Sequence, residues 1–404
     1  MKIISPSYIL TPTELMEGLS IAFDKEIHYI DTQDKLLKKY PDAEIIASAE
    51  NSLLMPGLIN SHVHLEFSAN KTTLQYGDFL PWLHSVIENR EDLIGECSTK
   101  CMQEATNAML KSGITAYGAI SSHGLDLDAA EKSAQKVVFF NEVIGSQATM
   151  ADALFTDFLS RLDASKSVTR SGFFPAIAIH SPYSVHPVLV KKALQIAKNE
   201  QLPLSAHFME SSSERAWLDS NEGPFKEFFE SFLKQSTAVC DSSEFLSQFD
   251  NAKTLMTHVV HASECELQQI SKNQHTVVHC PISNRLLGGG AINLDDLQAQ
   301  NINWLTATDG LSSNYTLNLF EEMKAAIFMH SDTPLLPLAT RLIESVTTKA
   351  ADALGLNCGA IEVGKDADMI LLQLDSKPTE QLALHLILHQ YPITTVFIDG
   401  KKVI

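Results

Sequence analysis

Two histidines separated by one residue, His62 and His64, end the segment PGLINSHVH at positions 56–64. Because side chains alternate along an extended strand, both imidazoles face the same side, with their Cα atoms about 6–7 Å apart. A histidine pair in this arrangement is able to chelate one metal ion. Since the motif is short, the alternative is a pair of hydrogen-bonded histidines that ends a strand without binding a metal.

Titratable side chains also end three other apolar segments with the character of strands. His207 lies in AHFME (206–210), His258 in MTHVV (256–260) and Asp309 in TDG (308–310). Because ligands bind at the carboxyl ends of parallel strands, these residues are expected to converge. We predict one divalent ion held by three imidazoles and one carboxylate: His62, His64, His207 and Asp309. Nitrogen and oxygen ligands favour zinc, with iron or manganese as alternatives.

Such an ion would turn water into a nucleophile, because bound zinc lowers the pKa of its water from about 15.7 to about 7. Glu210 follows His207 by three residues, where its carboxyl can reach over the ligands and carry a proton. An exposed loop glutamate is the alternative. His258 is expected to hydrogen-bond the hydroxide and the leaving group, and a buried core histidine is the alternative.

The elements that would position these residues alternate between strand-like and helix-like patterns. Eight short segments are apolar and rich in β-branched or aromatic residues: Leu53–Glu66, Gly113–Ser121, Val137–Gly145, Phe173–Ser184, Leu202–Glu210, Thr254–Ser263, His275–Asn284 and Ile302–Gly310. Helical patterns lie between them, including Asp126–Lys136, Pro187–Asn199, Ala262–Lys272 and Asn314–Met329. Eight alternating units predict an α/β fold, a closed (β/α)8 TIM barrel. A doubly wound open sheet is the competing architecture, although no GxGxxG motif follows the early strands.

The two ends of the chain differ from this middle region. Residues 1–52 and 360–404 contain short strand-like runs, and Asp399-Gly400 between apolar runs is a strong hairpin signal. We predict that residues 1–55 and 358–404 pair into one small β domain. Residues 56–357 are then expected to form the metal-dependent barrel.

The composition excludes several classes of protein. The chain has 404 residues, 45% of them hydrophobic and 20% charged, which is typical of a globular protein with a full core. A formal net charge of −19 makes nucleic-acid polymers and anionic membranes poor partners. The sequence has neither a signal-peptide pattern nor an apolar run near the ~20 residues that span a bilayer. Six scattered cysteines are typical of reduced thiols, so a cytoplasmic location is expected.

Six segments in order, PGLINSHVHLEF, HFME, THVVHA, HCPISNRLLGGG, TDGLSSN and GAIEVGKDADMILL, resemble the amidohydrolase superfamily. Within it they are similar to the branch of cytosine, guanine and adenosine-type deaminases and related chlorohydrolases. The resemblance covers nearly the whole chain and implies a (β/α)8 barrel with a β-sandwich built from both termini. Binuclear members carry a carboxylated lysine on strand four. Since GFFPAIAIHSPY (172–183) has no lysine there, a mononuclear site is expected.

The resemblance implies hydrolytic deamination, with Glu210, His258 and Asp309 as the catalytic residues. Asp309 and Glu210 would take the proton of the activated water, and hydroxide would add to the ring carbon that bears the amino group. Glu210 would protonate the neighbouring ring nitrogen, and His258 would hold the new oxygen before ammonia leaves. The binding energy is expected to be concentrated on this tetrahedral carbon, since its formation costs aromaticity.

Trp82, His180, Glu210 and Asp309 are the expected substrate contacts. His180 resembles a histidine that contacts the sugar or ring in related nucleoside deaminases, and Trp82 resembles an aromatic that stacks near the substrate. The alternative for Trp82 is a core aromatic on an amphipathic helix. Thioadenosine deaminases have a glutamate just before this tryptophan, where this sequence has Pro81.

Three further segments, LEFSANKTTLQYGDF, PWLHSVI and ITAYGAISSHG, resemble the aminodeoxyfutalosine deaminases of menaquinone biosynthesis. This similarity implies an adenine nucleoside substrate whose 5′ side carries a carboxyphenyl ketone and whose 6-amino group is replaced by oxygen. Methylthioadenosine or S-adenosylhomocysteine, guanine and cytosine are alternative deaminase substrates. A chlorohydrolase and a non-catalytic binding protein are the alternative classes, and a homodimer is expected from the habit of the family alone.

Overall fold

The fold combines a barrel of parallel strands with a domain of two small sheets. The computed structural model describes residues 1–70, 74–89 and 97–404. The strands are β1 (Lys2–Ile4), β2 (Tyr8–Leu10), β3 (Leu15–Glu17), β4 (Ser20–Phe23), β5 (Ile27–Asp31), β6 (Glu44–Ile46), β7 (Ser52–Pro56), β8 (Leu58–Val63), β9 (Ile114–Ser121), β10 (Lys136–Val143), β11 (Phe173–Ile179), β12 (Leu204–Phe208), β13 (Thr254–His258), β14 (Thr276–His279), β15 (Asn303–Thr306), β16 (Met369–Gln373), β17 (Ile393–Ile398) and β18 (Lys401–Lys402).

The helices of the described residues are α1 (Gln33–Lys39), α2 (Phe79–Glu88), α3 (Thr99–Lys111), α4 (Leu127–Lys132), α5 (Ala151–Lys166), α6 (Pro187–Glu200), α7 (Ser212–Ser220), α8 (Pro224–Leu233), α9 (Ser242–Gln248), α10 (Glu264–Lys272), α11 (Pro281–Leu286), α12 (Leu294–Ala299), α13 (Leu319–Met329), α14 (Leu335–Ser345), α15 (Thr348–Leu354) and α16 (Leu382–His389). Within these ranges no helix combines the length and the apolar character that crossing a membrane requires.

Eight parallel strands, β8 to β15, pair in chain order, and the sheet is nearly closed between the last and the first. At this seam the backbone N–H of Asp309 donates to the carbonyl of His62 at 3.1 Å. Asn60 joins the same two segments, because its Nδ2 donates to Thr308 Oγ1 (2.7 Å) and its Oδ1 accepts from Thr308 N (3.1 Å). The predicted (β/α)8 TIM barrel is therefore confirmed over the doubly wound sheet.

Small and branched side chains fill the barrel, because alternate residues of every strand point inward. They include Ile59, Ala116, Ile120, Val138, Phe140, Ala176, Ala178, Leu255, Val278, Leu305 and Ala307. Helix α15 adds Ala350, Ala351 and Leu354 to the same cluster. The Ile59 N–H donates to the carbonyl of Val346, just before α15, and this bond places the helix at the amino-terminal mouth of the barrel. The opposite mouth, at the carboxyl ends of the strands, is available for a functional site.

Both chain ends build the second domain. One sheet has the order β5-β4-β1-β6, and the other, β18-β17-β16-β7-β2-β3, combines strands from both termini. Their shared core includes Ile4, Ile21, Phe23, Leu54, Met369 and Phe397. The predicted β-sandwich of both termini is confirmed, and so is the hairpin turn at Asp399-Gly400, where φ is 46° and 64°. The domain limits of 1–55 plus 358–404 and 56–357 stay a prediction.

Two of the strand-like segments contain more than one element. The segment Leu53–Glu66 divides at Gly57 into β7 and β8, which belong to different domains. A Cβ at Gly57 would lie 2.1 Å from Thr115 Oγ1, so the close approach of the two segments requires glycine. The segment His275–Asn284 divides into β14 and α11, which begins at Pro281. Apolar character alone does not separate a buried strand from a buried helix. Residues 71–73 of LEFSANKTTLQYGDF lie outside the described residues.

One buried lysine joins the barrel to the second domain. Lys136, predicted at the end of a helix, is instead the first residue of β10. Its Nζ lies 2.6 Å from Asp366 Oδ2, 2.8 Å from Asp368 Oδ2 and 2.9 Å from Asp399 Oδ1. Burial lowers the pKa of Lys136, but the carboxylates outweigh burial and raise it above the ordinary lysine value. The lysine is therefore charged and compensates three acidic side chains of the sandwich.

Lys136→Met is expected to lower the free energy of unfolding by about 3–5 kcal/mol, because it leaves buried carboxylates without their cation. Urea denaturation followed by circular dichroism measures this loss. Lys166→Met is the control, since Lys166 forms a partly exposed ion pair with Glu200 that is worth at most about 1 kcal/mol. An equally small loss for Lys136→Met would contradict the compensating role.

Candidate metal centre and active site

Three histidines and one aspartate meet at the carboxyl-terminal mouth of the barrel. His62 lies on β8, His64 follows this strand and His207 lies on β12, and their nearest ligand atoms are within 4.8 Å of one another. The two Nε2 atoms of His64 and His207 are 3.3 Å apart. Oδ1 of Asp309, which follows β15, lies 3.8 Å from Nε2 of His62 and 3.7 Å from Nε2 of His64. The four predicted ligands thus come together from three strand ends.

The chemistry of these four side chains fits a divalent cation. Nε2 of His62 is buried and has no hydrogen-bond partner among the described residues, which is costly for an interior polar atom. Burial and neighbouring imidazoles hold the pKa of His62 and of His207 well below the ordinary histidine value. Both rings are therefore neutral, which is the form of imidazole that binds a metal. Three imidazole nitrogens and a carboxylate oxygen suit zinc.

Hydrogen bonds to the outer nitrogens fix the orientation of two rings. Nδ1 of His207 donates to the carbonyl oxygen of His180 at 2.8 Å. Nδ1 of His62 lies 3.2 Å from Thr257 Oγ1. Because the outer nitrogen is engaged in each ring, Nε2 is the atom directed toward the cluster.

Asp309 is fixed by hydrogen bonds to both carboxylate oxygens. Oδ1 accepts from Gly310 N (2.8 Å), and Oδ2 accepts from Ser283 Oγ (2.7 Å) and Ser313 Oγ (2.9 Å). Burial raises the pKa of Asp309, but His64 and the other histidines outweigh burial and lower it below the ordinary aspartate value. Asp309 is therefore an anion and matches a cation at the histidine cluster.

Residues with left-handed backbone lie at or just after the carboxyl ends of three barrel strands, β12, β13 and β15. The φ angles are 51° at Met209, 73° at His258 and 57° at Asp309, a region that non-glycine residues rarely adopt. Such strain persists where the surrounding structure fixes the conformation, and it is concentrated at functional sites. A Cβ at Gly310 would lie 2.8 Å from Cβ of His64, so the residue after Asp309 has to be glycine for the two segments to meet.

Glu210 and His258 lie beside this cluster, as expected. Oε1 of Glu210 is 3.5 Å from Nε2 of His258, and one ligand atom of each lies within 4.8 Å of Asp309. Burial, with the charge of Asp309, raises the pKa of Glu210 well above the ordinary glutamate value. Burial lowers the pKa of His258, and its Nδ1 lies 2.8 Å from the amide oxygen of Asn284, to which it donates. These shifts favour a protonated carboxyl at Glu210 and a neutral imidazole at His258, which face each other at the mouth of the barrel.

Glu214, which we did not predict, holds the backbone at Glu210. Its two carboxylate oxygens accept from the N–H groups of Met209 (3.1 Å) and Glu210 (2.8 Å). Burial raises the pKa of Glu214 to about 7. The signal available in the sequence is the helix start SSSE, in which Ser211 caps α7 and Glu214 lies in the first turn.

Glu214→Gln is expected to lower kcat by about 10²-fold, because an amide cannot accept both N–H groups and Glu210 shifts from its position. Steady-state kinetics with parallel metal analysis measures the effect. Because Glu214 touches none of the four ligands, metal content should be unchanged. Loss of metal together with activity would instead indicate general unfolding.

Two further carboxylates that we did not predict stabilise the neighbouring strand ends. Glu66 accepts from the backbone N–H groups of Ser122 (2.9 Å), His123 (3.0 Å) and Leu125 (2.9 Å), and so fixes the loop after β9. Glu142 on β10 accepts from Ser122 Oγ at 2.5 Å. Its Oε1 lies 3.8 Å from Nδ1 of His207. Glu142 therefore places a carboxyl group, whose pKa burial raises, directly behind a predicted ligand.

A cavity of about 490 Å³ opens above these residues, and Trp82 and His180 both line it. The ring centroid of His180 is 5.1 Å from that of His207, and its Nδ1 is 2.6 Å from Ser184 Oγ. Nε1 of Trp82, on helix α2, donates to the carbonyl of Ser312 at 2.8 Å. Trp82 also packs against the hydrophobic core, so it both anchors helix α2 and lines the cavity.

A profile of the Amidohydrolase family matches residues 53–403. The chain belongs to the amidohydrolase family. It is 50% identical over 404 residues to the aminodeoxyfutalosine deaminase of a Nitratiruptor species, and the match covers 100% of this chain and 99% of that protein.

Among solved amidohydrolase-like structures, the fold matches the aminofutalosine deaminase of Helicobacter pylori in complex with methylthio-coformycin. The TM-score is 0.94 at 34% identity, with 100% of both chains covered. An adenosine deaminase from Xanthomonas campestris with bound zinc matches with a TM-score of 0.82 at 21% identity, covering 99% of this chain and 92% of that one. At 21% identity, the similarity to the Xanthomonas protein indicates a shared fold only.

Proposed function

We propose that this amidohydrolase is a metal-dependent deaminase that replaces the 6-amino group of 6-amino-6-deoxyfutalosine, an adenine nucleoside, with oxygen. The observation that carries the proposal is the placement of Glu210, whose raised pKa favours a protonated carboxyl, beside His258 and the anion Asp309 at the histidine cluster. This arrangement supplies a proton donor and a proton acceptor on one substrate face. The deaminase relatives at 50% and 34% identity support the same chemistry.

His62, His64, His207 and Asp309 would hold one divalent ion, proposed to be zinc. When bound, such an ion lowers the pKa of water toward neutrality and supplies hydroxide. Nδ1 of His207 already donates to a backbone carbonyl, so this ring has one nitrogen left for a metal. No lysine lies on β11, the fourth barrel strand. Both observations favour one ion over two.

The protein's own groups then move the protons. The carboxylate of Asp309, which is ionised beside the histidines, would accept a proton from the attacking water. The carboxyl of Glu210 donates its proton to the ring nitrogen next to the reacting carbon, so that the adduct is not left as an anion. Nε2 of His258, fixed through Asn284, contacts the new oxygen. The proton held by Asp309 then passes to the amino group, the new hydroxyl group returns a proton to the Glu210 carboxylate, and the C–N bond breaks to release ammonia.

The cavity supports a nucleoside with a large apolar 5′ group. His180 is proposed to contact the ribose or base, and Trp82 to stack near the substrate. Phe67, Phe79, Leu83, Val86 and Ile87 extend the lining beyond Trp82. An aryl ketone would bury its ring against these side chains, which is the favourable environment for apolar surface. A homodimer and a cytoplasmic location stay predictions.

A deamination assay tests the proposal. The purified enzyme with zinc is incubated with 6-amino-6-deoxyfutalosine, adenosine, methylthioadenosine, guanine and cytosine. Ammonia release and the ultraviolet shift from adenine to hypoxanthine report the reaction. We expect the highest kcat/KM for the aryl ketone nucleoside. Preference for another compound would reassign the substrate, and turnover of a chlorotriazine without any deamination would assign the chain to the chlorohydrolases.

A further inference from the structure

Arg161, on helix α5, is the one arginine or lysine in the cavity lining among the described residues. Its side chain is only 13% exposed, although the protein as a whole carries a formal net charge of −19. A nearly buried guanidinium is costly unless anionic or polar groups compensate it. Its position beside a substrate cavity therefore calls for a functional explanation.

The guanidinium is held in place by three partners. Nη2 donates to the carbonyl of Glu142 (3.0 Å), Nη1 donates weakly to the carbonyl of Ser121 (3.4 Å), and Nε donates to Asp157 Oδ2 (2.9 Å). The two carbonyls end neighbouring strands β10 and β9. An arginine has five N–H groups, so two remain after these bonds. A planar group fixed in this way is preorganised to bind a carboxylate through two parallel hydrogen bonds.

The rest of the cavity indicates what would carry that carboxylate. One part of the lining holds the reacting groups Glu210, His258 and Asp309, and another is an apolar wall from Phe67 and helix α2. A ligand that satisfies all three regions has a base at the reacting groups, an apolar ring against the wall and an anion at Arg161. Asp157 is the competing anion, but its side chain is 66% exposed, so solvent weakens its ion pair with Arg161.

We propose that Arg161 binds a carboxylate on the 5′ substituent of the nucleoside and thereby selects acidic, aryl-bearing adenine nucleosides over neutral ones. This assignment rests on the proposed deaminase function and identifies the 5′ carboxylate as the part of the substrate that the cavity recognises. Arg161 acts on binding and specificity and is not a catalytic residue, since it is not among the groups that meet at the histidine cluster.

A purely structural role for Arg161 makes a different prediction. Burial raises the pKa of the carboxyls of Glu142 and Asp126, and the charge of Arg161 opposes that rise, so it helps to compensate them. Loss of that compensation would disturb the site for every substrate alike. If Arg161 binds a carboxylate, its loss instead changes the ratio of kcat/KM for an acidic substrate to kcat/KM for its neutral counterpart.

The decisive measurement compares 6-amino-6-deoxyfutalosine with its methyl ester in the zinc-loaded enzyme. A hydrogen-bonded charge pair is worth about 10- to 150-fold in affinity, so wild type should prefer the acid by about that factor in kcat/KM, mostly through KM. Arg161→Met should bring this ratio close to one, and Arg161→Lys should give an intermediate ratio. Lys166→Met, which removes a lysine from the same helix outside the lining, should keep the wild-type ratio.

The outcomes separate this inference from the function on which it rests. Equal turnover of acid and ester by wild type would overturn the role of Arg161 and leave the deaminase function standing, even if the variants do not fold. An unchanged preference in Arg161→Met, or an equal loss for both compounds, would also overturn it. Failure of wild type to deaminate either compound would overturn the proposed function and the inference together.

Discussion

Glu210→Gln is expected to lower kcat by about 10²- to 10⁴-fold, while the metal content stays near one ion per chain. The substitution is nearly isosteric with the protonated carboxyl that the raised pKa of Glu210 implies. An amide still donates a hydrogen bond toward Nε2 of His258, which lies 3.5 Å from Oε1 in the native enzyme. It cannot give a proton to the ring nitrogen or take one back when ammonia leaves. The loss therefore isolates proton transfer from packing and binding.

The measurement pairs steady-state kinetics with elemental analysis of the same preparation. Glu222→Gln is the matched control, because it makes the same chemical change at an exposed position and should leave kcat within error of wild type. The substrate KM should change little, since the amide fills the same volume. Full turnover by Glu210→Gln would contradict ring protonation by this residue and would favour a displacement that needs no such proton.

The convergence of the four predicted metal ligands was the most predictable feature of the site. The pair His62 and His64 is adjacent in sequence, and strand periodicity alone directs both rings to one face. His207 and Asp309 are remote in sequence, yet each ends an apolar segment, and a parallel barrel brings such ends to one mouth. The convergence of all four therefore follows from the count and order of the strands, which the alternating pattern predicted correctly.

The supporting charges could not be predicted in the same way. Glu142 lies near the end of a largely apolar, fully buried strand, where neither spacing nor a turn distinguishes it from a packing position. Arg161 lies on an ordinary amphipathic helix, and its role depends on which strand carbonyls and which cavity the helix covers. Lys136 follows a helical pattern that continues past the observed end of α4, and its three partners belong to the carboxyl-terminal segment. These contacts arise from tertiary packing, for which a single sequence has no periodic signal.

His207→Ala is expected to weaken zinc affinity by at least about 100-fold and to reduce activity to background without excess metal. The ring supplies the Nε2 that lies 3.3 Å from Nε2 of His64, and no other imidazole occupies β12. Removing it leaves two nitrogens and one carboxylate oxygen, which is fewer than the four protein ligands predicted here. Zinc content after dialysis, with kcat/KM measured over a range of added zinc, gives both quantities.

His207→Ala and Glu210→Gln separate the two functions of the site, metal binding and proton transfer. His207→Ala should regain part of its activity as zinc is raised, because the remaining ligands still bind the ion weakly, whereas Glu210→Gln should not respond to added zinc. His389→Ala, at an exposed helix end, controls for the loss of an imidazole and should match wild type. An His207→Ala enzyme that keeps one tightly bound ion would show that the cation lies elsewhere, and the proposed chemistry at the barrel mouth would then lose its source of hydroxide.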